Sequence, residues 1–241
     1  MTLRNYLLNR MRRWTEMLEN WPQNTVRFYD TTGTYTNPTK KILFCTCHYN
    51  EWSTTLYAYS LYRTKWPKNT RIDLMAIMGC GTGKALDVFA KAAVDGGFDL
   101  MVFACNDAGW EPGAVLKLIS DDKDIVTGWS CERFHPFRVK AFTSIDRENV
   151  RMTFREGVGK GVEKVYSPAG ELQVYKVDVF KKLQYPFFQG ITNKLGEPTT
   201  DDFVLGCRCW DAHVDIFVDW DVPLKHISSG MITENGKLRA T

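Results

Sequence analysis

The chain has 241 residues, of which 44% are hydrophobic and 24% charged, with a net charge of +3 at pH 7. That is enough chain to bury a sizeable core. No stretch reaches the ~18 apolar residues of a membrane span, and so weak a charge permits an anionic partner without requiring one. The seven cysteines are odd in number. Arg4, Arg10, Arg12 and Arg13 interrupt what would be the apolar core of a signal peptide. Together these predict a reduced, cytoplasmic protein. Cys45-x-Cys47 and Cys207-x-Cys209 are spaced more tightly than structural zinc pairs and are expected to pack as small core residues.

Residues 2–21 place Leu3, Leu7, Met11, Trp14, Leu18 and Trp21 at helical steps, with the arginines opposite. Residues 22–40 are polar and read as a linker, so 1–40 form an N-terminal helical extension. From Lys41 strands and helices alternate. Ile42 to Cys47 is a strand, and Asn50 is the expected cap of a helix running from Glu51 to about Arg63. Arg71 to Met78 is a second strand. A glycine turn at 79–83 leads to a helix over 84–94, which Gly96-Gly97 ends. Asp99 to Ala104 is a third strand, Pro112 opens a helix, and Asp124 to Val126 is a fourth strand. Residues 132–170 are irregular. Gln173 to Val177 reads as a strand, Val179 to Leu183 as a short helix and Tyr185 to Phe188 as an aromatic loop. A helix over 201–212 and a strand over 214–218 follow, then a loose tail at 229–241. This alternation predicts an α/β domain over 41–228, with a mainly parallel sheet and ligands at the carboxyl ends of its strands.

Three segments stand at such ends. Cys47-His-Tyr-Asn-Glu51 follows the first strand. In Phe98 to Pro112 an apolar run halts at Asn106-Asp107. Thr200-Asp-Asp202 opens a late helix, and Lys225-His226 lies further on. MGCGTGKALD imitates a phosphate-binding loop, but Met78 stands where the first glycine should and Ala85 where the metal-binding hydroxyl should. Asp219-Trp-Asp221 is a literal D-x-D placed after a late strand, and reads as surface or loop-capping acids.

In order and spacing the three segments resemble nucleotide-sugar glycosyltransferases of the GT-A fold, especially the family-two-like group. The resemblance spans roughly residues 41–228. It implies a Rossmann-like α/β fold and a metal-assisted transfer, cytoplasmic, from a nucleotide-sugar, a UDP-sugar first, to a hydroxyl on a glycan, a lipid or modified nucleic acid. It implies that Tyr49 lies against the base, with Asn50 and Glu51 beside the nucleoside. Asp107 matches the last acid of the D-x-D motif, with Asn106 in its middle position, and His226 matches the histidine that completes the metal shell around Mn2+ or Mg2+. Lys84 stands where an arginine often approaches the diphosphate. Asp202 and Asp201 match the late acidic pair, with Asp202 as the base of an inverting transfer. Two positions depart from the pattern: Cys105 replaces the first D-x-D acid, and Cys47 replaces a proline.

The chemistry suits these residue types. The leaving diphosphate gains negative charge, which a hard cation on oxygen ligands offsets. The acceptor hydroxyl needs a base, typically worth ~10²–10⁴-fold. Asp202 at a helix amino end is expected to stay ionised. Trp110, Trp129, Phe187 and Phe188 are candidates for the walls of a sugar pocket. Two alternatives stay open. Cys105 allows a non-catalytic relative that binds without turnover, and the arginine-bearing helix allows a transferase acting on hydroxylated bases in nucleic acid.

Overall fold

The computed structural model describes residues 25–29, 39–48, 54–132, 136–167, 170–226, 231–232 and 238–239. The predicted helix at 2–21 lies outside them, as do Tyr49, Asn50 and Glu51.

The elements begin with β1 (Thr25–Tyr29), β2 (Lys40–His48), α1 (Thr55–Arg63), β3 (Thr70–Met78), α2 (Thr82–Asp95) and β4 (Leu100–Cys105). The short β5 (Ala108–Gly109) precedes α3 (Ala114–Ser120) and β6 (Ile125–Trp129). Then come β7 (Phe142–Asp146), β8 (Arg151–Phe154), β9 (Val162–Val165), β10 (Leu172–Lys176) and α4 (Val179–Lys182). The chain closes with α5 (Asp201–Asp211), β11 (Ile216–Pro223), β12 (Lys225–His226), β13 (Met231–Ile232) and β14 (Leu238–Arg239).

One eight-stranded sheet, ordered β1-β3-β2-β4-β10-β6-β11-β9, forms the centre. β3, β2 and β4 are parallel neighbours, as are β6 and β11. β10 runs against both β4 and β6, so β4 and β6 share one direction. β1 and β9 are antiparallel edges. The mainly parallel α/β sheet expected from the alternation is therefore present. The linker expected at 22–40 is not uniform: Thr25–Tyr29 pair with Asp73–Ile77 and extend the sheet.

Strand side chains alternate between faces, and helices cover both. Ile42, Phe44, Leu100, Val102 and Ala104 pack with Tyr57 of α1 and Val115 and Leu118 of α3. Leu43, Cys45, Cys47, Met101 and Phe103 pack with Leu86, Phe89 and Ala90 of α2 and with Phe187 and Phe188. A large apolar side chain buried this way contributes ~1.5–3 kcal/mol. Burial on both faces is why these strands read as continuous apolar runs.

Two local features differ from the sequence reading. The side chain of Thr54, not Asn50, caps the described helix α1, accepting from the Tyr57 amide. Thr54 is itself fixed to the end of β4, because its amide and hydroxyl both donate to the Asn106 carbonyl, at 3.1 and 3.0 Å. Asp219 is not a surface or loop acid. It is fully buried within β11 and takes a hydrogen bond from Lys117 Nζ at 2.6 Å. Among the described residues, no helix is long and apolar enough to cross a membrane.

The turn behind Asp107 needs Gly109 for a reason of space. A Cβ there would lie 2.4 Å from Leu56 Cγ. Gly109→Ala should therefore lower stability by ~1–3 kcal/mol in denaturant unfolding. Combined with Leu56→Ala, it should cost less than the two changes summed. Strict additivity would show that the clash is relieved elsewhere.

Candidate active site

The carboxyl ends of β2, β4 and β6 face the beginning of β10, because β10 runs the other way. His48, Cys105 and Trp129 end the first three strands. Glu171 stands just before β10, and its carbonyl accepts the Cys105 amide at 2.8 Å. Gly170 holds this entry close to β6: a Cβ on it would lie 1.7 Å from Thr127 Oγ1.

Beyond β4 the chain turns at Asn106-Asp107 into β5. Lys225 and His226 of β12 pair with Gly109 and Ala108. This two-residue ladder brings His226 Nε2 to 3.8 Å from Asp107 Oδ2. Two ligands of one small divalent ion, each ~2.1 Å from it, can lie up to about 4.2 Å apart. An oxygen and an imidazole nitrogen at this separation are within the span of a shared cation. Among the described residues, no group of three or more His, Cys, Asp or Glu gathers as a metal site.

Behind His226 is a cluster that sequence reasoning missed. Glu171 is 2% exposed. It takes Lys140 Nζ at 2.5 Å and the Ser130 hydroxyl, and His226 Nδ1 lies 3.2 Å from it. Burial by itself pushes the Glu171 carboxyl up, but Lys140, His226 and Ser130 together hold it below its usual value. Lys140 is raised: burial works against its charge, and Glu171 and Asp202 more than offset that. Only the unexpected charge of Glu171, in the AGELQVYK run that opens a strand, hinted at this in the sequence.

The acidic pair opens α5. The Thr200 side chain caps the helix, and the Asp202 carbonyl accepts from Ser167 Oγ at 2.6 Å. Both acids are partly buried. Gly83 on α2 faces them, since a Cβ there would lie 3.2 Å from Asp201 Cβ. The expectation that the helix end keeps Asp202 ionised fails. Burial, reinforced by the neighbouring Asp201 and opposed by Lys140, pushes Asp202 up to about 8. Asp201 is also raised, by burial above all. Loss of solvent outweighs a helix-end effect of ~0.3–1 kcal/mol.

No protein-family model and no curated protein matches the chain. Solved structures do match. One is A197 from STIV, with a TM-score of 0.55 at 11% identity, covering 83% of this chain and 94% of that one. Another is GalNAc-T7 with UDP, GalNAc and Mn2+, with a TM-score of 0.54 at 10% identity, covering 78% of this chain and 43% of that one. This is a GT-A-like fold. Identity this low speaks to the architecture alone.

On the GT-A-like frame, the expected site residues divide. Asp107 and His226 come together, and Asp202 and Asp201 share an electrostatic field with Lys140. Lys84 is exposed near the amino end of α2, next to Gly83. Asn106 lies at the same rim: its carbonyl anchors Thr54, and its Nδ2 lies 3.4 Å from His48 Nδ1. The four aromatic candidates are taken up by packing. Trp110 donates to Thr64 Oγ1 at 2.8 Å and Trp129 to the Trp220 carbonyl at 2.9 Å, while Phe187 and Phe188 lie in the core. Asp87 holds that aromatic loop by accepting the Phe187 and Phe188 amides. Cys105 is raised well above its ordinary value by burial, so at neutral pH it is a thiol and no substitute for a carboxylate. Of two cavities, one of about 290 Å³ beside Arg71 and Phe98 is lined by none of these residues, and one of about 320 Å³ beside Phe180 and Tyr185 is lined by Phe187 among them.

The Asp202 shift carries a sign. Its folded value near 8 lies above the ordinary 3.8. The stability from this group is full below about pH 4 and is lost as pH rises through about 8. Asp202→Asn removes that loss. Its melting temperature should exceed the wild type's by a margin that widens from pH 4 to pH 9, ~2–4 °C for each kcal/mol. A margin independent of pH would show that Asp202 is not shifted.

Proposed function

We propose that this chain is a glycosyltransferase that moves a sugar from a nucleotide-sugar, a UDP-sugar by preference, to a hydroxyl acceptor. The observation that carries the reading is the meeting of Asp107 and His226, with Asp202 in the same charged cluster, at the ligand end of a GT-A-like sheet. The likeness to GalNAc-T7, which holds UDP, GalNAc and Mn2+, supports the donor class.

In this reading the ionised Asp202 takes the proton of the acceptor hydroxyl. The acceptor oxygen bonds to the anomeric carbon as the bond to the diphosphate breaks, and the diphosphate leaves with the electron pair. A single displacement of this kind inverts the anomeric centre. Asp107 and His226 would hold a divalent cation, which would supply positive charge against that of the leaving diphosphate. The His226 imidazole would favour manganese over magnesium there. Lys84 and the amino end of α2 add donors and positive charge on the diphosphate side. Tyr49, Asn50 and Glu51 are assigned to the nucleoside by resemblance.

A second reading, a binding protein without turnover, rests on two observations. Cys105 removes one acid, and Asp202 at about 8 is mostly protonated at neutral pH. The pH profile separates the two. A working Asp202 base makes kcat/KM rise about tenfold per pH unit below 7 and level off above about 8. Activity that is flat across pH 6 to 9 removes Asp202 from the role.

Donor binding is tested by thermal stability with UDP, with and without Mn2+. A ligand at about 100 times its Kd stabilises by ~2.7 kcal/mol. The wild type should gain stability from UDP only with Mn2+, and Asp107→Asn should lose that gain. Asp202→Asn should keep it while transfer slows by roughly a hundredfold or more. If no diphosphate stabilises the wild type with any metal, the transferase reading falls.

A further inference from the structure

Glu171 and Lys140 take no part in the transfer just described, yet they lie at the bottom of the site. A buried ion pair is a weak source of stability, and an apolar pair of similar volume often serves as well or better. The geometry around His226 suggests what the pair does. His226 Nδ1 faces Glu171 Oε1 at 3.2 Å and the Cys131 carbonyl oxygen at 3.4 Å. A carbonyl oxygen only accepts hydrogen bonds, and Glu171 Oε1 already accepts one from Lys140 Nζ. Nδ1 must therefore carry the hydrogen, and in the neutral ring the lone pair falls on Nε2. That nitrogen is the one 3.8 Å from Asp107 Oδ2.

We propose that Glu171 is a positioning residue: gripped by Lys140 and Ser130, it fixes the Nδ1–H tautomer of His226 and turns Nε2 toward a cation shared with Asp107. The inference rests on the reading above for the cation, but the tautomer assignment does not. Register adds a second argument. Leu172 pairs with Ala104, and the Cys105 amide donates to the Glu171 carbonyl, so Glu171 stands across from Cys105. The carboxylate missing at 105 is present one strand away, behind a ligand instead of acting as one. A carboxylate in this place holds the ring orientation and raises its basicity, an effect worth ~10–100-fold in metal affinity.

The test uses the full chain labelled with ¹⁵N-histidine, without metal, at a pH where His226 is neutral, with its signals assigned by His226→Gln. Long-range proton–nitrogen spectra should show Nδ1 protonated and Nε2 bearing the lone pair. Glu171→Leu alone strands a buried ammonium and risks unfolding, so the informative variant is Lys140→Met/Glu171→Leu, with its fold checked by circular dichroism. In that variant the Nε2–H form should become at least comparable in population. Mn2+ affinity, read from the electron paramagnetic resonance of free Mn2+, should fall ~10–100-fold. A wild-type Nε2–H ring, or a folded double variant with unchanged tautomer and Mn2+ affinity, overturns the positioning role. A wild-type Nδ1–H ring in a protein that binds no Mn2+, with or without UDP, instead overturns the cation assignment, and with it the metal-assisted reading.

Discussion

The buried ion pair between Lys140 and Glu171 sets the electrostatics of everything around it. Glu171 is buried and Lys140 partly so, and each charge is felt by its neighbours more strongly than at a surface. Glu171 stays ionised because Lys140, His226 and Ser130 face it. Asp202 keeps its proton to higher pH because burial and Asp201 outweigh the one ammonium nearby. Neither segment that supplies the pair is a regular element at that point. Lys140 is held by its own amide, which donates to the Ser130 carbonyl at 2.8 Å, and Glu171 by the amide of Cys105. Losing one partner would leave the other as an uncompensated buried charge, which typically costs 3–5 kcal/mol.

The sheet brings distant residues to this point by simple means. Parallel strands end together, so β2 and β4 deliver His48, Asn106 and Asp107 to one rim. The minimal ladder between β5 and β12 then folds His226 back over Asp107 from more than a hundred residues away. Two close approaches complete the assembly: Gly83 lets α2 meet the start of α5, and Gly206 lets α5 lie against Ile145 and the Tyr166 carbonyl. A side chain at either position would separate layers that the site needs in contact.

What the sequence made legible was local. Apolar runs gave the central strands, the stop at Asn106-Asp107 gave the rim, and Thr200 with two acids gave the start of α5. Each depends on neighbours in the chain. What it hid was set by distance or burial. Nothing within ten residues of Lys140 announces Glu171 as its partner. Thr25–Tyr29 lie in a stretch polar enough overall to read as linker, yet pair along β3 as an edge strand. Asp202 at a helix end argues for an ionised acid until burial is known. Trp110 and Phe188 look like pocket walls until their contacts are seen. Asp219 looks like a surface acid because its partner, Lys117, lies far off in sequence.

The direction of β10 has a further implication, for how such a site diversifies. Chemistry in open sheets is sought after strands, where loops vary freely. Here a buried charge sits before a strand, between two positions with little latitude. Gly170 has no room for a side chain against Thr127, and Leu172 is wholly enclosed in the core. Position 171 lies between them, and its charge is tied to that of Lys140. A paired change at 140 and 171 would rewrite the charge at this rim without altering a loop. Chains that share this architecture can therefore differ in chemistry while differing hardly at all in shape.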